Sequence, residues 1–192
     1  LVGSEMCIRD RFYMILKNFR INAFTTRKLL GNPACVVPLK KWLSDEILLK
    51  IAKKNNVSET AFFINENSKF SIRWFTPDIE MDLCGHATLA AAHYINKHLN
   101  FNFETILFNS NIGKLSVNIL NDLYQLDFPK REPIESELPE EIYNSLSIKP
   151  DKVLKSRDYV LVYNNIDDFI DIKINRNIFD KINIDRGGVI LT

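Results

Sequence analysis

The chain has 192 residues, 46% of them hydrophobic, and its 25 Lys and Arg against 24 Asp and Glu leave a formal net charge of +1. That length allows one or two domains with a real core. Because the two signs are interleaved along the chain, neither a nucleic-acid nor a membrane partner is implied.

Leu1 to Tyr13 has no secretory apolar region and no apolar period. It reads as a leader, non-native or disordered, in the manner of a translated adaptor, with Met14 the natural start; a flexible native tail is the alternative. Cys7 is set aside with it. Cys35 and Cys84 remain, too few for a disulfide framework, and are expected as reduced thiols in a cytoplasmic protein. No transmembrane or targeting segment is found.

Ile15 to Phe24 alternates as a first strand and ends at the turn-prone Thr25-Thr26. Gly31-Asn32-Pro33 is a turn, and Ala34 to Leu39 a short apolar strand. Ser44 is placed at a helix N-cap, with Asp45 and Glu46 in the first turn and Lys50, Lys53 and Lys54 toward the end. Leu48, Ile51 and Ala52 form its core face, and it stops near Asn55-Asn56.

Val57 to Ile64 follows as an extended segment, in which Glu59 points the same way as Val57, Ala61 and Phe63. A carboxyl among apolar neighbours is disfavoured in its charged form. That is the condition under which a glutamate both takes and gives a proton near neutral pH. The plain alternative is a strand-entry glutamate with its carboxylate in water.

Phe70 to Phe75 is a further strand, closed by Thr76-Pro77, and it leads into WFTPDIEMDLCGHATLAAAHYI at 74–95. The central helix, 85–98, carries alanines at 87, 90, 91 and 92 and is small or apolar nearly all round, so it is enclosed rather than laid on a surface. It is too short to span a bilayer, which needs about 20 apolar residues. At its start, Asp82-Leu83-Cys84-Gly85-His86 brings unpaired backbone N–H groups and the positive end of the helix dipole to one place, a site for an anion such as a substrate carboxylate. Gly85 lets a ligand approach the main chain. A tight strand-to-helix turn is the alternative reading of the same residues.

Phe103 to Phe108, Lys114 to Leu120 and Leu123 to Phe128 complete a first lobe over 14–128, in which about seven strands and two helices describe a curved mixed sheet around the alanine-rich helix, an α+β arrangement. The charged, proline-bearing Lys130 to Pro139 is the domain boundary, leaving 129–192 as a partial second lobe. There, Glu140 to Leu146 is a helix, Val153 to Tyr163 a strand, and Ile166 to Ile170 and Arg176 to Ile182 helical pieces. Gly187 to Thr192 begins a buried strand, as expected of a truncated lobe.

GNPACVV at 31–37, SETAFF at 58–63 and the 74–95 stretch, in that order and spacing, resemble the phenazine-biosynthesis isomerase family, the PhzF-like proteins, from about Phe19 onward. The resemblance implies the fold shared with diaminopimelate epimerase, two similar lobes each wrapped around a central helix. In that family the second lobe's helix and a further site segment follow the point where this sequence stops, so the fragment is expected to be inactive alone. The family archetype moves a proton between two carbons of a cyclohexadiene amino acid, with neither a metal nor an organic cofactor. By resemblance, Glu59 is the acid/base that shuttles the proton. Gly85 and His86 bind polar groups of a small carboxylate substrate, and His86 is a second candidate for proton transfer. A homodimer is the expected assembly of the full-length protein.

Cys84 stands where related epimerases carry a catalytic thiol. A thiol at a helix N-terminus is expected to have a lowered pKa and would act as the base of an amino-acid racemase, with a small buried hydrophobe as the plain alternative. A non-catalytic small-molecule-binding protein is the third reading. Metal ligation is not expected, because Cys84, His86, His93 and His98 fit neither a HExxH pair nor a finger spacing. Arg73 and Glu80 are read as an ordinary ion pair near the site.

Overall fold

Two helices with different surfaces, one polar on its outer face and one apolar almost all round, need two different burial sites, and the sheet between them provides both. The structure is a computed structural model; it describes all residues except 1, 2, 11, 26–30, 67, 68, 100–103, 122, 185 and 186, with backbone alone for 3–10 and 12–14. The chain divides into two units, Leu1–Pro129 and Lys130–Thr192. Among the described residues no helix is long and apolar enough to cross a membrane.

In chain order the first unit runs β1 (Gly3–Asp10), β2 (Phe12–Ala23), β3 (Asn32–Leu39), α1 (Asp45–Asn55), β4 (Glu59–Glu66), β5 (Lys69–Phe75), β6 (Glu80–Met81), α2 (Gly85–His98), β7 (Thr105–Ser110), β8 (Gly113–Leu120) and β9 (Leu123–Asp127). The strands form one mixed sheet in the order β1-β2-β3-β4-β5-β7-β8-β9, with β6 added to β5. Pairing is parallel at β3–β4 and β5–β7, the two places where a helix lies in the connection, and antiparallel at the other pairs.

Alternation along β4 decides which helix goes where. Ala61 and Phe63 join Ala34, Val36, Ile72, Trp74, Phe108 and Val117 against Ala87, Ala90, Ala91 and Ile95 of α2. The intervening Phe62 and Ile64 join Leu48, Ile51 and Ala52 of α1. Buried on both faces, β4 reads as a continuous apolar run rather than an alternating one. Burying a Phe, Leu or Ile here contributes about 1.5–3 kcal/mol apiece. The four alanines of α2 add little each, yet their small side chains let strands approach the helix axis from several sides. α2 is enclosed as its composition requires, with His86, Thr88 and Tyr94 also buried.

Two local expectations need adjusting. Ser44 holds the N-cap position of α1, but its side chain makes no capping bond; its carbonyl accepts from Ile47 and Leu48 N–H at 2.9 and 3.0 Å. Asn56 ends the helix in the left-handed conformation. The leader set aside on composition supplies β1, paired antiparallel along β2. Backbone N–H and C=O groups on an open strand edge pair with another segment whatever its side chains. The expected strand start at Phe103 lies outside the described residues.

The second unit contains β10 (Ile134–Glu135), α3 (Glu140–Ser145), β11 (Lys152–Lys155), β12 (Tyr159–Val162), α4 (Ile166–Asp171), α5 (Arg176–Phe179) and β13 (Val189–Leu191). Its sheet order is β10-β11-β12-β13, around a core of Ile142, Leu146, Tyr159, Leu161 and Tyr163. The single strand expected over Val153 to Tyr163 is a hairpin, β11 and β12. Polar Ser156-Arg157-Asp158 breaks the apolar run, and Ser156 N–H donates to the Asp158 carbonyl at 3.1 Å. Asp158 Oδ1 also accepts from Gly188 N–H at 2.7 Å, which fixes β13 beside β12.

Gly31 opens β3 with φ of +92°, and a Cβ built there would lie 2.3 Å from the Ala23 carbonyl oxygen. Backbone on backbone cannot yield, so Gly31→Ala is expected to cost at least 1–3 kcal/mol, the order of strain at such a position. A urea unfolding midpoint unchanged from wild type would contradict this account of the turn.

Candidate active site

The three stretches that stand out in the sequence converge at one end of α2. Glu59 is the first residue of β4, pairs with Ala34 of the neighbouring parallel strand, and lies on the α2 side of the sheet. Cys84 caps the start of α2 in an extended conformation, and His86 is the second helical residue. Thr88 ties this turn down, its hydroxyl donating to the Cys84 carbonyl at 2.6 Å. Parallel β3 and β4 begin at the same end, so Asn32, Pro33, Ser58 and Glu59 all arrive beside His86.

The imidazole is the hub. Its Nε2 lies 3.2 Å from Glu59 Oε2 and 3.2 Å from Ser58 Oγ. Its Nδ1 lies 3.4 Å from Cys84 Sγ. Ser58 Oγ is in turn 3.3 Å from the Pro33 carbonyl and 3.4 Å from Asn32 Oδ1. Ser58 and Asn32 are exposed whereas Cys84 and His86 are buried, so the Nε2 edge faces the rim and the Nδ1 edge faces inward. Glu59 Oε2 is close to the ring but off the line of a hydrogen bond, and is left buried without a donor. An orphan acceptor of this kind costs about 1–3 kcal/mol.

Burial holds His86 below its ordinary imidazole pKa, against the opposing pull of the Glu59 carboxylate and the Pro33 carbonyl. Burial also pushes the Cys84 thiol up to about 12, aided by the nearby Glu59 carboxylate. The amides of Ala87 and His86 favour the thiolate, as a helix N-terminus should, but burial and the Glu59 charge outweigh them. The lowered thiol pKa expected at this position is therefore not found.

Gly85 shares the first turn of α2 with His86, and the remaining residues singled out in the sequence fall elsewhere. Gly85 packs against the Phe128 ring, which a Cβ would meet at 3.3 Å. Arg73 pairs with Glu80 through two bonds of 2.7 and 2.6 Å and stacks over Trp42 and Phe75, on the α1 face of the sheet rather than beside the site. His93 contacts the Tyr124 hydroxyl at 3.2 Å, and His98 stacks on Tyr94. Glu59, Cys84 and His86 offer donor atoms within 4.8 Å of one another and are the residues that could hold a metal ion; sequence spacing had not grouped Glu59 with the other two. Glu59 and Cys84 face opposite ring nitrogens, so one ion could take the imidazole from only one of those sides.

Ser58, Asn32 and Pro33 were not singled out. Strand alternation would turn Ser58 away from Glu59, but β4 begins only at Glu59, and alternation does not hold across its first residue.

The family described as "Phenazine biosynthesis-like protein" (PhzC-PhzF) matches residues 21–156. A Pseudomonas aeruginosa protein named as an uncharacterized isomerase is 42% identical over 149 residues, which are 78% of this chain and 58% of the relative. The crystal structure of a PhzF family protein from Enterococcus faecalis superposes with a TM-score of 0.76 at 35% identity, covering 92% of this chain and 67% of that one. A Pseudomonas aeruginosa protein described as a predicted epimerase shares the fold at a TM-score of 0.62 and 16% identity, over 90% of this chain and 68% of its own. The chain thus spans 58% of the length of the first of these relatives.

Because the folded-state pKa of His86 lies below its ordinary value of 6.5, the unfolded chain binds more protons wherever the two states differ. The associated stability is complete above about pH 6.5 and is lost as pH falls through the folded value. The thermal midpoint should drop between about pH 7.5 and about pH 5, and His86→Gln should flatten that slope. His93, also lowered by burial, supplies a residual slope. An identical pH dependence in the variant would show that His86 is not held neutral by burial.

Proposed function

The chain belongs to the phenazine biosynthesis-like (PhzC-PhzF) family, and from that premise we propose that the protein is a cofactor-independent isomerase. It moves a proton between carbons of a small carboxylic or amino-acid substrate, with Glu59 as acid and base. The observation that carries this reading is the Glu59 carboxylate oxygen, buried without a donor beside the first turn of a buried helix. A carboxylate whose lone pair is not already used is ready to accept a proton from a substrate C–H.

In the proposed step Glu59 takes the proton from an activated carbon, negative charge spreads over the conjugated acid, and the same carboxyl returns the proton to a second carbon. A neutral His86 serves as a fixed hydrogen-bond donor near that charge rather than as a competing base. The start of α2 offers the positive end of the helix dipole to the substrate carboxylate.

A Cys84 thiol base is disfavoured on the same page of geometry. With the thiol raised to about 12, the thiolate fraction at neutral pH is on the order of 10⁻⁵. A non-catalytic binding protein would hold the acid without moving its protons.

A panel of small unsaturated and amino acids, incubated with the protein in D₂O and read by mass spectrometry, tests the proposal. Deuterium should enter a carbon-bound position, and Glu59→Gln should slow that exchange by about 10²–10⁴-fold, the usual worth of a positioned general base. Exchange that survives Glu59→Gln but vanishes in Cys84→Ala would transfer the role to the thiol. Binding with no exchange would point to the non-catalytic reading.

A further inference from the structure

We infer that Cys84 is a positioning residue whose S–H donates to Nδ1 of His86 and holds the imidazole with its proton on Nε2. The inference deepens the reading of Glu59 as proton carrier and rests on that reading only for its catalytic meaning; the tautomer itself stands on geometry.

The ring has one proton to place when neutral, and its neighbours decide where. On the Nε2 side stands the Glu59 carboxylate at 3.2 Å, which can only accept. Ser58, 3.2 Å from Nε2, has two other acceptors for its own proton, the Pro33 carbonyl at 3.3 Å and Asn32 Oδ1 at 3.4 Å. On the Nδ1 side the facing group is the Cys84 thiol at 3.4 Å, inside the buried part of the site. A protonated thiol is a donor, and Nδ1 is the acceptor it faces. With a bare Nδ1 and a protonated Nε2, the thiol donates to Nδ1 and the Ser58 hydroxyl can accept from Nε2, whereas the other tautomer turns the Nε2 lone pair toward the Glu59 carboxylate.

The Glu59 carboxylate competes for the same S–H, since it also lies against the thiol. When the proton turns that way, Nδ1 loses its donor and Cys84 no longer sets the tautomer. Where it holds, Nε2 is a donor and not a base, and proton transfer is left to Glu59 alone. A neutral imidazole used as an electrophilic donor is an established catalytic device.

Long-range ¹H–¹⁵N spectra of the histidine rings read the tautomer directly, with no substrate present, so the result is independent of whether the isomerase proposal survives. His86→Gln assigns the His86 signals among the three histidines. At neutral pH, wild type should show a bare Nδ1 and a protonated Nε2. Cys84→Ser, which keeps a donor, should preserve that pattern, and Cys84→Ala should raise the Nδ1–H fraction several-fold. A wild-type ring protonated on Nδ1, or a Cys84→Ala ring identical to wild type, overturns the inference. Should the alanine variant fail to fold, the wild-type pattern and its retention in Cys84→Ser still decide the matter.

Discussion

A helix that presents alanine or another apolar group on most of its circumference gains nothing from a surface position, because its outer face would still lie against water. α2 is stable only where strands close around it, and the two parallel pairings, β3–β4 and β5–β7, are what bring them there. Each parallel pairing needs a crossover long enough to hold a helix. α1 takes one crossover and covers one face of β4; α2 takes the other and fills the opposite face. The start of β4, the turn before β3 and the first turn of α2 therefore meet at one end of the sheet.

That placement puts two opposing electrostatic influences on the same few atoms. The helix N-terminus favours negative charge on Cys84 through the amides of His86 and Ala87, while burial and the Glu59 carboxylate oppose it. Burial wins, as it commonly does when a like charge stands nearby. The same burial strips the proton from His86 as pH rises past a value lower than usual. A neutral thiol and a neutral imidazole next to a carboxylate leave only one group in the cluster suited to accept a proton from carbon. The roles proposed for these residues thus follow from how little water reaches the site rather than from which residues are intrinsically most reactive.

Much of this was readable from residues in order. The apolar run of β4, the alanines of α2 and the Lys130 region all have local signatures, and Glu59 could be placed on the α2 side by counting from Ala61 and Phe63. Residues whose position depends on long-range packing could not be placed that way. Arg73 looked close to the site through its partner Glu80, but strand alternation puts it beside Phe75 on the α1 face. Ser58 lies just outside the strand that gives Glu59 its direction. The pKa of Cys84 depends on a carboxylate 25 positions earlier in the chain, which no helix-terminus rule contains. The β11–β12 hairpin was missed because Ser156, Arg157 and Asp158 interrupt the strand for only three residues and the apolar pattern resumes at once.

An unpaired buried carboxylate oxygen is a cost that a fold must offset elsewhere, and here the compensation is close at hand. Ala61 and Phe63, two and four residues beyond Glu59, are almost fully buried against α2. Those contacts hold the strand, and Glu59 stands at its first residue with its side chain 18% exposed. In the proposed mechanism a substrate proton satisfies this oxygen, where His86, close but misaligned, does not. On the proposed reading, the packing around α2 stabilises the lobe and also sets the strand that presents this polar group to a ligand.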